Sequence, residues 1–151
     1  MTAIAFDLGT KTGYAIDTAG VLASGVMNFA SRRHEGGGMR YLRFRQAIRE
    51  LLATHRGGVV FYEEVRHHRG VDAAHVYGGL LSQLQSVCEE EKVPYTGIPV
   101  GSIKKFATGK GNSDKKAMVA AAISKYPTQQ IADDNQADAI FCLYCGLETL
   151  K

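Results

Sequence analysis

Four acidic residues of this chain lie in or against apolar runs: Asp7 in AFDLGTKTGYAI, Glu63 in VVFYEEV, and Asp134 with Asp138 in DDNQADAIFCL. An ionised carboxylate among apolar neighbours is costly unless it is paired or bound to a cation. The chain is therefore constrained to folds that bring these segments to one place, where a single charge can serve them all. Two carboxylates about 4 Å apart repel by roughly 4 kcal/mol at an effective dielectric near 20, so the cluster needs a cation. Oxygen donors alone suit hard divalent ions, which makes magnesium the expected guest and manganese its substitute. Carboxylates around such ions point to phosphodiester chemistry.

The surrounding pattern says which elements carry these groups. TAIAFDL reads as a buried strand, followed by a tight GTKTG turn and a second strand, GYAID; DTAG is a hairpin signal, and VLASGVMNF makes a third strand. Three antiparallel strands form the first half of a sheet. The polar, glycine-rich SRRHEGGG reads as a loop, and MRYLRFRQAIRELLATH has apolar residues at helical spacing. GGVVFYEEV is a short run too apolar for a sheet edge, so it is expected as a central strand.

The longest helix spans Asp72 to Glu91, with Tyr77, Leu80, Leu81, Leu84, Val87 and Cys88 on one stripe. Gly78 and Gly79 fall inside it, each costing about 1 kcal/mol relative to alanine. Close approach of a neighbour explains them, either by packing on the sheet within the chain or at a seam between two copies. VPYTGIPV is a fifth strand and GSIKKFATGKGNSDKK a basic connector with a helix start inside it. KKAMVAAAISKYP is a helix ended by Pro127, and DNQADAIFCLYCGLETL is the final helix. The order β-β-β-α-β-α-β-α-α, without linkers or repeats, describes one α/β domain over residues 1–151.

Within the acidic set, Asp7 sits in the first strand between Phe6 and Leu8 and points to the face opposite theirs. Glu63 and Glu64 are adjacent, so only one of them joins Asp7, and Glu63 is the choice. Asp133 with Gln136 fits a capping box at the start of the last helix. Asp138 lies past the cap, directly before AIFCLY, where a ligand role is expected. Asp134, four residues before Asp138, shares its helix face, and Asn135, three before it, is also within reach; either can supply a fourth ligand.

Taken in order, DLGTKTGYAI, YEEV, VYGGLLSQLQSV, VGSIKKFATGKGNSDKKAMV and DDNQADAI resemble the RuvC-type Holliday junction resolvases of the ribonuclease H-like superfamily, in their compact phage and bacterial form. The resemblance covers nearly the whole chain. It implies a ribonuclease H-like fold, with a five-stranded mixed sheet of three antiparallel strands followed by two parallel ones, flanked by helices. It further implies a magnesium-dependent endonuclease acting as a homodimer, with the Asp72 to Glu91 helix at the seam, and making paired nicks in four-way DNA junctions. The catalytic carboxylates match Asp7, Glu63 and Asp138. Many members carry Asp or His three residues before the last aspartate; here that residue is Asn135, with Asp134 one place earlier. Two ions about 4 Å apart serve such a hydrolysis, with Asp7 bridging, Glu63 on one ion, and Asp138 with Asp134 or Asn135 on the other.

Arg66, His67, His68 and Arg69 directly follow the Glu63 strand, and Lys104, Lys105, Lys110, Lys115 and Lys116 stud the basic connector. Together they read as contacts for branched DNA, and the net charge of +3 permits that partner. TGKGNSDKK imitates a phosphate-binding loop, but Lys104 stands where its first glycine belongs, so no nucleotide cofactor is expected. Tyr77 and Phe106 read as core residues in preference to base-stacking ones, and the three cysteines as reduced core thiols. With no membrane-length apolar run and no signal pattern at MTAIAFDLG, a cytoplasmic protein is expected. Two other readings remain alongside a junction resolvase: a nuclease of broader branched-DNA specificity acting on forks and flaps, and a junction-binding protein without catalysis. An actin-like ATPase also opens on DLGT but needs two such domains, for which this chain is too short.

Overall fold

In a computed structural model describing residues 1–151, strands β1 (Thr2–Asp7), β2 (Lys11–Thr18) and β3 (Val21–Asn28) form an antiparallel meander. The β2–β3 turn places Ala19 and Gly20 at φ of 52° and 86°, and the Asp17 carboxylate accepts the Gly20 N–H at 2.8 Å. Two central residues at positive φ match the right-handed twist of the flanking strands, which is what DTAG signals. Strands β4 (Gly58–Glu64) and β5 (Tyr95–Pro99) add in parallel, giving the order β3-β2-β1-β4-β5. The apolar β4 is interior, between β1 and β5.

Alternation along these strands builds two cores, one on each face of the sheet. Ile4, Phe6, Val60 and Tyr62 face helices α1 (Met39–Thr54) and α2 (Val71–Glu91), meeting Phe44, Ile48, Leu80 and Leu84. Ala3, Ala5 and Phe61 face the other side, toward α3 (Val100–Thr108), α4 (Lys115–Lys125) and α5 (Asp134–Glu148). Asp7 and Glu63 continue that second set along β1 and β4, so both carboxylates point toward α5.

Helix α3 departs from the sequence expectation. The connector after Pro99 is itself a nine-residue helix, stopped by Gly109 at φ +83°, whose N–H closes on the Lys105 carbonyl at 2.8 Å. It buries Ile103 fully, with Phe106 and Ala107 packed against the same core, but Lys104, Lys105 and the glycines at Gly101 and Gly109 make the segment read as a connector. Helix α4 is capped by the Asp114 carboxylate, which accepts the Ala117 N–H at 2.9 Å.

Two glycines let α5 lie directly on the sheet. A Cβ on Gly13 would meet the Asn135 carbonyl oxygen at 1.9 Å, and one on Gly146 would meet the Phe61 ring at 2.5 Å. Gly13 is also the register partner of Asp7, so the bare backbone admits the first turn of α5 beside the first carboxylate. Asp133 caps α5 by accepting the Gln136 N–H at 2.9 Å. Gln136 does not return the bond to Asp133; its side chain accepts the Ala132 N–H at 2.7 Å and donates to Ser24 Oγ at 3.0 Å, tying the helix start to β3.

The paired glycines of α2 differ in their surroundings. A Cβ on Gly79 would strike the Tyr41 ring at 2.4 Å, so its close neighbour is helix α1 rather than the sheet, whereas one on Gly78 would meet nothing within 4 Å. Tyr77 is buried, Phe106 packs against the core under Lys125 Nζ at 5.2 Å from its ring centre, and the three cysteines are free and buried. No helix is long and apolar enough to cross a membrane.

Candidate metal centre

The last paired residues of β1 and β4 are Phe6 and Tyr62, which sets Asp7 and Glu63 side by side just beyond. Asp138 joins them from the second turn of α5, and one oxygen from each of the three lies within 4.8 Å of the others. Glu63 is buried and the other two are half-buried. Glu64 faces away, as alternation requires, and pairs with Arg66 at 3.8 Å.

The electrostatics are those of an uncompensated acidic cluster. Burial first, then the charges of Glu63 and Asp138, raise the Asp7 carboxyl well above the ordinary range. Burial likewise raises Glu63, against its hydrogen bond with Asp7 and the pull of the Lys104 charge. Asp138 is pushed up to about 8 by burial and then by the charges of Glu63 and Asp134, with Lys104 and Lys115 opposing. Its Oδ1 is buried without a hydrogen-bond partner. A buried carboxylate oxygen left unpaired is expensive unless a cation completes it. The nearby Cys142 thiol is itself pushed up by burial and then by the charges of Glu63 and Asp7, and it is not among the groups whose ligand atoms come together. The donors are thus all oxygens, and the set fits a hard divalent ion of the magnesium or manganese kind.

Asp134 and Asn135, the two candidates for a fourth ligand, behave differently. Asp134 stands near enough to raise both Glu63 and Asp138, and its Oδ2 lies 3.9 Å from Lys115 Nζ. That lysine is 85% exposed, so the pair is worth little and holds Asp134 only loosely. Asn135 is held by other groups: its side-chain Nδ2 donates to Asp133 Oδ2 at 3.2 Å, and its backbone carbonyl oxygen is the atom seated against Gly13.

The basic residues divide in the same way. Arg66 and His67 line a groove with Glu63, Glu64, Val100 and Gly101, and Lys115 with Lys116 flanks Asp134 in a second groove floored by Val119 and Ile123. Lys105, Lys110 and Arg69 are exposed, whereas Lys104 is half-buried and its charge acts on Glu63 and Asp138. His68 turns inward, with its ring 4.9 Å from that of Tyr77. The Tyr77 hydroxyl in turn binds the backbone at Glu63 and Val65. Nothing in the sequence signals this contact, because Tyr77 reads there as one more member of an apolar stripe.

A mixed sheet in this order, with acidic groups at the ends of its first and fourth strands, is the ribonuclease H-like fold. More narrowly, the chain has the fold of the RuvC-type resolvases. It matches Thermus thermophilus RuvC in complex with a Holliday junction substrate at a TM-score of 0.81 and 19% identity, over 99% of this chain and 94% of that one. A second structure of Thermus thermophilus RuvC gives 0.75 and 20%, over 96% and 92%. The yeast mitochondrial Holliday junction resolvase Ydc2 gives 0.63 and 13%, over 95% and 76%. No protein-family model and no curated protein sequence matches the chain.

Proposed function

We propose that this protein is a divalent-metal-dependent endonuclease that resolves four-way DNA junctions by paired hydrolytic nicks. The observation that carries this reading is the convergence of Asp7, Glu63 and Asp138, from residues far apart in the chain, within 4.8 Å of one another. The solved structure of similar fold that holds a Holliday junction supports the choice of substrate.

Asp7, Glu63 and Asp138 are the residues that would hold magnesium or manganese, two ions per site, with Asp134, whose charge already acts on Glu63 and Asp138, as the fourth ligand in preference to the neutral Asn135. When bound, such ions supply an activated water and offset the charge of the leaving 3′ oxygen. The protein's own part is to fix the carboxylates on β1, β4 and α5 and to bring a phosphate to them. The Lys104 and Lys115 charges act on Asp138, and Lys116 lines the Asp134 groove beside Lys115, so a phosphate drawn to these cations arrives beside the acids. Arg66 and His67 bind the strand running along the groove past Glu63, while Arg69, Lys105 and Lys110 extend the basic surface.

The working form is a homodimer that meets its partner through α2, since a junction has two strands to cut. Open space at Gly78 and the exposure of Val71, at 69%, support that face as the seam. Sedimentation at micromolar concentration tests it, and a strictly monomeric species rejects it.

The decisive experiment incubates the purified protein and its Asp7→Asn variant with a mobile junction, a fork and a linear duplex in magnesium. Symmetric paired nicks confined to the junction are expected from the wild type. The variant should bind the junction with unchanged affinity and cut nothing, because a metal-facing charge has gone while the basic surface is intact. Equal cutting of forks and junctions assigns the broader branched-DNA activity, and undiminished cutting by the variant removes Asp7 from the site.

A further inference from the structure

Tyr77 of α2 reaches across to the end of β4. Its hydroxyl donates to the Glu63 carbonyl oxygen at 2.8 Å and accepts the Val65 N–H at 3.1 Å. The β1–β4 ladder ends with the Phe6 and Tyr62 pair, one residue before Glu63, so the phenol takes over on the side where β1 stops, while β5 still pairs with Glu63 and Glu64 on the other. The side chain is otherwise a core residue, 8% exposed and packed within the α1/α2 core. A phenylalanine would fill the same apolar space, so what the hydroxyl adds is its hold on the Glu63 carbonyl and the Val65 N–H, the backbone leaving Glu63 at the end of β4.

On the other side of the ring lies His68, centroid to centroid at 4.9 Å and tilted by 45°. His68 belongs to the loop between β4 and α2, whose neighbours Arg66, His67 and Arg69 are exposed. The two rings also line one hollow with Leu8, Gly9 and Thr10, the turn that directly follows Asp7. Loop, histidine, tyrosine and Glu63 backbone thus form one continuous set of contacts.

We propose that Tyr77 is a positioning residue that fixes the backbone of Glu63 for the metal centre and, through His68, couples that hold to contact between the 66–69 loop and DNA. This rests on the nuclease reading above.

Tyr77→Phe keeps the ring and its contact with His68 while deleting both hydrogen bonds. Manganese binding to the DNA-free protein, read by electron paramagnetic resonance, should weaken about tenfold in this variant, the usual loss when a group supporting a metal ligand is removed. Binding within about twofold of wild type overturns the positioning role. Asp7→Asn run beside it separates the two ideas, because its failure to weaken manganese binding counts against the metal centre itself. His68→Ala should leave manganese affinity unchanged without DNA, yet slow single-turnover cleavage at saturating junction about tenfold, and add nothing in the Tyr77→Phe background. Rate losses that multiply in the double variant overturn the coupling. If Tyr77→Phe fails to fold, the single-turnover rate of His68→Ala decides alone, and a wild-type rate rejects it.

Discussion

Replacing Asp138 by Asn should make the metal-free protein more stable and the metal-bound protein relatively less so. At the 4.8 Å that bounds the cluster, two ionised carboxylates repel by about 3.5 kcal/mol at an effective dielectric near 20. The folded protein avoids part of this by keeping a proton on Asp138, whose carboxyl is pushed up to about 8. The unfolded chain releases that proton near pH ~3.9. Because the native state binds the extra proton, its stability is full below the unfolded value and is lost as pH rises toward 8, at up to about 1.4 kcal/mol per pH unit. Between pH 6 and pH 8 the wild type in chelator should therefore lose on the order of 2 kcal/mol, which for a chain of this size lowers Tm by roughly 4–8 °C. Asp138→Asn keeps the shape of the side chain and removes this group's share of the slope, leaving only what the raised Asp7 and Glu63 carboxyls contribute. Thermal melts followed by circular dichroism, in chelator and then in saturating magnesium, check both halves. The wild type should recover its loss when magnesium is added, and the variant should gain little. A variant that melts below wild type at pH 8 in chelator, or that magnesium raises just as much, would refute the account of an uncompensated cluster.

Other expectations follow from the same geometry. Asp134→Asn should weaken magnesium-induced stabilisation, whereas Asn135→Ala should leave it unchanged; calorimetric titration of the two variants checks this, and the reverse order would assign the fourth position to Asn135. Removing Lys115 and Lys116 together by alanine should flatten the dependence of log affinity for junction DNA on log salt by about 1.8, the release expected for two phosphate contacts; an unchanged slope places the DNA elsewhere. Gly13→Ala sets a Cβ 1.9 Å from the Asn135 carbonyl oxygen, so backbone must move, and both Tm and the magnesium response should fall. A variant with unaltered metal response would mean that α5 can shift without disturbing Asp138.

Much of this was legible in the chain because its signals are local. The meander is written in alternation and in DTAG, and the interior place of β4 in its unbroken apolar run. Asp7 and Glu63 stand out because a carboxylate in a buried strand is costly unless something binds it. Helix α3 was hidden in a basic connector, since its apolar face is only nine residues long and is masked by Lys104 and Lys105 and by the glycines at Gly101 and Gly109. The choice between Asp134 and Asn135 was equally hidden. Both are about one helical turn from Asp138, and only the folded structure, in which the Asp134 charge acts on Glu63 and Asp138, distinguishes them. Gly79 signalled a close neighbour without naming it; Tyr41 comes from a helix whose docking angle no local pattern records. The clamp at Tyr77 joins partners 14 and 12 residues away through a hydroxyl, and hydrophobic patterning does not register hydroxyls.

The seat that Gly13 provides for α5 bears on when the molecule becomes dangerous to its host's DNA. Two of the acids are delivered by neighbouring strands, but the third arrives only when the last helix settles against a bare stretch of β2. On the proposed function, a chain whose sheet has formed while that helix is still loose holds an incomplete set and cannot cut. The same closeness that makes the helix intolerant of even one added methyl group would act as a safeguard, tying cleavage to the finished tertiary structure.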